Sequence, residues 1–585
     1  LDSLTTGTNN TAVGDKALTA NTTASNNTAV GDQALEANTT GQQNVAFGSG
    51  ALTSNTTANY NNAIGAFTLR DNTTGENNTA LGHGALLVNT TASNNTGVGF
   101  NALISNTTGT RNTAVGAYAL DAASTANDNS AFGYNALGAN TTGTLNTAFG
   151  SKAVDALSTG SNNTGIGAEA LTSATTCDYN TAVGMSALKD ATTASDNNAF
   201  GREALANNTT TNSNCAFGSV ALFTQTDGGT KNCAFGNQTL YSNTTGDSNC
   251  AMGDSALYTN TTGERNIAIG DYAMGVNTTG SYNVAIGHGA LDANTTAGHN
   301  VAIGYLALGA NNGSTGEYNT AVGSGALDAN TTGRVNTSVG ASSLTSNTTG
   351  DKNTAVGSSA LESNTTSNAN TAVGDAALNG CTGGENTGLG VSAGKNLTSG
   401  DYNTCCGSEA GHDLTTGDNN LLLGKNAGRS NSPSGTISTG SNNVVLGNNS
   451  IGNLYCADTS ISSSDARDKT DVTDFTHGLS WIKELRPVTY RWDRRTWYSD
   501  DKSVTPDGSK KRERLNIGFL AQEFMEVEKN HGYADKKDNM LIVNQDEDEA
   551  DPSYGIKYER LVPVLVNAIK ELSAEVEQLK SQLNN

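Results

Sequence analysis

The chain has 585 residues, of which 5% are aromatic and 15% charged, with 68 glycines and a net charge of −23. So few large apolar side chains argue against one conventional globule of this size. An acidic chain without a basic stripe argues against nucleic acid and anionic membranes as partners.

Charge and composition divide the chain. Residues 1–456 carry 13 Lys+Arg and 30 Asp+Glu, net −17, and residues 457–585 carry 19 and 25, net −6. All three tryptophans, Trp481, Trp492 and Trp497, lie in the second part. No run of about 18 apolar residues offers a membrane span. The sequence opens without Met or a signal peptide, as expected of a chain that starts inside a longer or processed one.

From the N-terminus a single phrase, N-T-A-V-G-x-x-A-L-x-x-N-T-T-G-x-x, repeats. Its first Gly recurs from Gly14 to Gly218 every 17 residues, then with small drifts to Gly424 and a last step of 23 to Gly447, giving 26 copies. One copy cannot bury its apolar side chains alone, so stacked copies, a parallel β-solenoid, are predicted over residues 1–456. The "NTAVG" run reads as a short strand, the Ala17-Leu18 pair as a second apolar layer with a helical turn at "GDKALTAN", and "NTTG" as a turn. Proline is absent from every strand, as ladder hydrogen bonding requires. At about 4.8 Å per rung, 26 rungs predict a rod on the order of 125 Å.

Asn and Thr at fixed places are expected to hydrogen-bond along their columns. The Asn-x-Thr triplets therefore read as turn and ladder residues rather than glycosylation sites. Period two puts Val13, Phe47 and Ile64 on one strand face, read as the interior, and tiny residues such as Ala12, Ala29 and Ala46 on the other. That tiny column is read as a chain–chain contact about a three-fold axis. The eight cysteines form no paired CxxC, so no metal is expected. Cys215, Cys233 and Cys250 share one place in successive copies and read as small stacked apolar residues. His83, His288, His299 and His412 are assigned to the surface. No residue set in the repeats suggests catalysis or a cofactor.

The block at residues 8–450 resembles the head repeats of trimeric autotransporter adhesins, and repeats of phage and virus fibres. That resemblance implies a homotrimeric, mainly β protein.

Past residue 456 the pattern changes. "LSWIKELRPVTYRW" predicts a helix, a break at Pro487 and a strand. "KKRERLNIGFLAQEFMEVEKN" predicts a strand and then a helix, and "DEDEADPS" an acidic loop. The last helix carries Leu561, Leu565, Ala568, Leu572, Val576, Leu579 and Leu583 at steps of 4, 3, 4, 4, 3 and 4, a coiled-coil seam with one stutter. It is too short to be stable alone, so partner helices from other copies are expected at Leu565, Leu572 and Leu579. The organisation expected is a shaft at 1–456, a small α+β core at 457–560 and a coiled-coil helix at 561–585.

Three motifs in this part, "SDARDK" at Ser464–Lys469, "GFLAQE" at Gly518–Glu523 and "YERLVPVLVNAIKELSAEVEQL" at Tyr558–Leu579, resemble the intramolecular chaperone domain of phage tailspikes and fibres, the self-cleaving peptidase S74 family. The resemblance implies that the domain trimerises its fibre and then cuts itself off with a Ser–Lys dyad, here Ser464 and Lys469. Asp465 and Arg467 would support it.

Chemically, a Ser hydroxyl needs a base to become a nucleophile. A Lys amine serves only when burial or a nearby cation, here Arg467, lowers its pKa. Ser464 would most simply attack the Ser463 carbonyl, giving an ester that water hydrolyses, with cleavage beside Ser464. Asp468 departs from the family, which has an apolar residue there; its carboxylate favours the protonated amine of Lys469.

The function implied is a virion tail fibre used extracellularly for host attachment. Its partners would be other copies, other tail proteins and a host receptor, glycans included, with no membrane insertion. The alternatives are a cell-surface trimeric adhesin, which would need a β-barrel anchor where this chain ends in a coiled coil, and a glycan-degrading tailspike, which would need clustered carboxylates beside aromatic platforms.

Overall fold

The computed structural model describes residues 2–226, 228–451, 470–495, 498, 504–545 and 554–584. They fall into two compact units, residues 1–421 with 439–443, and residues 422–438 with 444–585.

The first unit is a parallel β-solenoid, as the repeat predicts. Among the described residues the repeats give 26 three-residue strands, β1 (Thr11–Val13) to β26 (Val444–Leu446). Each strand up to β24 (Thr404–Cys406) pairs in parallel with the equivalent residues of the next copy; Thr11, Ala12 and Val13 lie against Thr28, Ala29 and Val30.

The repeating Gly has a steric cause. Gly116 sits at φ +141°, and a Cβ there would lie 2.3 Å from the carbonyl oxygen of Gly133 on the next rung. Only a residue without a side chain lets the rungs stack this closely.

The segment after that Gly is not a helical turn. Lys16 and Leu18 both take φ +53°, and the same alternation recurs along the repeats. Alternate N–H groups then bond in different directions. Ala17 and Thr19 donate to residues three back, and Leu18 and Ala20 donate to Ala34 and Glu36 on the next rung. A left-handed Leu costs about 1–2 kcal/mol. Burial holds it there, because Leu18, Leu35 and Leu52 are wholly enclosed.

Two buried Asn columns run through the rungs. Asn61 donates from Nδ2 to the Gly75 carbonyl (2.9 Å), and its Oδ1 accepts the N–H of Asn78 (3.0 Å). Asn72, which opens an "NTT" triplet, donates to the same Gly75 carbonyl and to Oδ1 of Asn55, both at 2.9 Å. Asn72 is fully enclosed, so a ladder role holds and the folded chain gives a glycosylating enzyme no access to it.

The two strand faces are the reverse of the sequence expectation. Ala29 and Ala46 are wholly buried inside the coil of their own chain, while Val13 and Phe47 are 57% and 56% exposed. The reason is space. A Cβ at Gly97, which occupies this position on its rung, would lie 3.3 Å from Leu86 Cγ, so with the Leu and Asn columns in place only a tiny side chain fits. Ala12, on the first rung of the same column, Ala29 and Ala46 therefore pack their own rungs, and reading them as a contact between chains is corrected.

In the second unit the predicted elements appear in order, α1 (Leu479–Glu484), β27 (Val488–Tyr490), β28 (Asn516–Gly518), α2 (Ala521–Asn530) and α3 (Leu561–Leu583), and two strands that were not predicted, β29 (Val543–Gln545) and β30 (Tyr554–Ile556), lie before α3. β27 pairs antiparallel with β28, and β29 with β30. Trp481, Phe524, Val527, Ile542, Leu561 and Val564 form the centre of its core.

Candidate functional site

The residues expected to carry chemistry or be cut, Ser463, Ser464, Asp465, Arg467 and Lys469, lie outside the described residues, as does Asp468. The described chain resumes at Thr470, and what holds the segment just beyond it is visible. Asn567 on α3 donates to the Phe475 carbonyl. Glu571, one turn on, accepts the N–H of Leu479 at 2.7 Å, satisfying an open donor at the start of α1. Gly478 lets the start of α1 approach the backbone of α3, since a Cβ there would lie 2.5 Å from the backbone nitrogen of Ala568. The last helix thus grips the chain at 475–479, shortly after the "SDARDK" motif.

The aromatic rings of Phe475, His477, Trp481, His531 and Tyr533 pack together beside this joint. His531 meets Glu484 at 3.0 Å. On the surface Arg486 and Glu523 form an ion pair, and their hydrogen bond raises the guanidinium pKa and lowers the carboxyl below its usual value.

Sequence reasoning missed Glu528. It is fully buried on α2 and accepts the N–H groups of Leu541 (3.1 Å), Ile542 (2.6 Å) and Val543 (3.1 Å). One carboxylate thereby fixes the chain as it enters β29. The available signal was position, because Glu528 lies four residues after Phe524 on the apolar face of α2.

Leu565, Leu572 and Leu579 are all exposed on α3. Ala568 instead joins the domain's own core, and Ile569 is exposed. The outward seam becomes Val562, Leu565, Ile569, Leu572, Val576, Leu579 and Leu583, with steps alternating 3 and 4, and the stutter disappears. No helix among the described residues is long and apolar enough to cross a membrane.

Stacked rings were also not anticipated in the repeats. Tyr282, His299 and Tyr318 stack at centroid distances of 5.0 and 4.9 Å, with planes within 8°. Rings so arranged cover one another's faces and leave mostly edges outward.

The fold defines a parallel solenoid repeat protein with a separate terminal α+β domain. Residues 464–533 match the family model described as the chaperone of endosialidase, Peptidase S74. The match runs from the "SDARDK" motif through α2 and ends before β29. A chaperone domain of this type after a β-solenoid fits a phage tail fibre or tailspike-like protein. No curated protein matches the chain.

Proposed function

We propose that this chain is a homotrimeric phage tail fibre protein that attaches the virion to a receptor on the host surface. In this reading its terminal domain drives folding and trimerisation, then releases itself through Ser464 and Lys469. The observation that carries the reading is the chaperone match at 464–533 directly following the solenoid. Three copies would meet through the exposed α3 seam. Because Asn567 and Glu571 on the same helix hold residues 475–479, assembly and the order of the cleavage turn would be linked.

In the reaction, Lys469 takes the hydroxyl proton as Ser464 Oγ attacks the Ser463 carbonyl carbon. Lys469 hands that proton to the Ser464 nitrogen as its C–N bond breaks and it leaves as the amine, and water then hydrolyses the ester. Lys469 must be neutral for this, and Asp468 opposes that state.

Mass spectrometry of the denatured products tests the reading. Wild-type chain should yield a piece spanning residues 464–585, Ser464→Ala and Lys469→Ala should each give one intact chain, and Asp468→Leu should speed release. An assembled wild type that stays intact would overturn the self-release, and a monomer by light scattering would overturn the trimer.

A further inference from the structure

The residues that the strands turn outward form two columns in register from rung to rung. The third residue of each strand makes one column, in which Val13, Phe47, Phe149 and Met252 stand 48–58% exposed. The first residue makes the other, and it is Thr on most rungs. Over β13 (Cys215–Phe217) to β18 (Val301–Ile303) that changes. The first column there reads Cys215, Cys233, Cys250, Ile267, Val284 and Val301. The third reads Phe217, Phe235, Met252, Ile269, Ile286 and Ile303.

Six consecutive rungs are therefore apolar on both columns. No strand from β1 to β24 places a charged residue on either column, in a chain with 32 Lys+Arg and 55 Asp+Glu.

We infer that this outward strand face, most tightly over β13 to β18, is where a second copy of this chain packs. An uncharged apolar strip along a solenoid marks an interface rather than a water face. Charge selects the occupant's approach, since residues 1–456 carry net −17 and two copies repel least along the strip without charge. Period selects its identity. The columns recur in register on every rung, and a partner with the same repeat and rise matches them throughout, as another copy does. The inference rests on the proposed homotrimer and places its contact on the face opposite to the Ala column.

Cys233 supplies the test within the full chain. Cys215, Cys250, Cys406 and Cys456 are changed to Ser, leaving Cys233 as the outward thiol, since Cys177, Cys381 and Cys405 are buried. Diamide then oxidises paired thiols to a disulfide, itself being reduced to the hydrazide. Most chains should run as a two-chain species on a non-reducing denaturing gel and revert with reductant, because a three-fold arrangement leaves one thiol over.

The control carries Cys233→Ser and Lys231→Cys, at the exposed corner two residues away, and should stay single-chain. If light scattering gives a trimer but Lys231→Cys links and Cys233 does not, the face is wrong and the trimer stands. A monomer overturns both readings.

Discussion

In the solenoid a buried Asn recurs rung after rung, and residues 14 and 17 places further along the coil satisfy its amide. In the terminal domain one buried carboxylate, Glu528, serves three backbone N–H groups once. Both leave buried polar groups paired, as they must be. The difference lies in how a loss spreads. A solenoid is close to a one-dimensional stack, where damage is felt by neighbouring rungs. A small domain with one core loses everything together. Each change below acts on one side of that contrast.

The largest effect is expected at Glu528. Glu528→Ala strands two buried donors and a partly buried one, and should cost about 3–5 kcal/mol, a large share of a domain's roughly 5–15 kcal/mol. Tryptophan occurs only at 481, 492 and 497, so tryptophan fluorescence during urea unfolding of the full chain reports the terminal domain alone. Its midpoint should fall sharply while the solenoid's far-UV circular dichroism transition stays in place. An unmoved fluorescence midpoint would contradict the role given to this carboxylate.

Glycine gives the next comparison. Gly116 and Gly532 both have positive φ, +141° and +88°, but a Cβ at Gly116 meets the next rung's backbone and one at Gly532 meets nothing within 4 Å. Gly116→Ala should therefore cost about 3 kcal/mol, and Gly532→Ala about 1–2 kcal/mol from backbone strain alone. Hydrogen exchange should speed at the copies flanking Gly116 and not at distant ones. Equal effects of the two changes would show that steric stacking is not what demands glycine in the repeat.

The same contrast explains what could be read in advance. A repeat announces its period, so the rung count, the strands and the Asn ladder were legible from residues 14–447. Period two says that Val13 and Ala12 face opposite ways but not which way is in. The larger side chain was placed inside on apolarity, and the narrow coil, already filled by Leu18-type and Asn side chains, reverses it. In the terminal domain the local elements were legible and the long-range ones were not. Leu565 and Leu572 stood out as a seam, but the exchange of Ala568 for Ile569 depends on how α3 docks against Leu479 and Phe475. The site motif was readable from six residues, and those six lie outside the described structure.

The last comparison separates the two regions by pH. Residues 457–585 contain no Cys, whereas burial in the solenoid pushes the thiols of Cys381 and Cys405 up to about 11 and about 12 from an ordinary 9.0. The unfolded chain loses these protons near pH 9, while the folded chain keeps them to about pH 11. Above pH 9 the folded state therefore binds more protons, and stability falls as pH rises. The stabilisation is whole below pH 9 and fades through about 11 for Cys381 and about 12 for Cys405, by up to about 1.4 kcal/mol per pH unit for each thiol. Cys405 occupies the inward strand position that is Ala on most rungs and Gly388 on the preceding one, so Cys405→Ala suits the fold and removes one titrating group. Far-UV urea transitions at pH 8, 9, 10 and 11 should decline less steeply in that variant than in wild type. Identical slopes would mean that the alkaline loss comes from groups other than the Cys405 thiol.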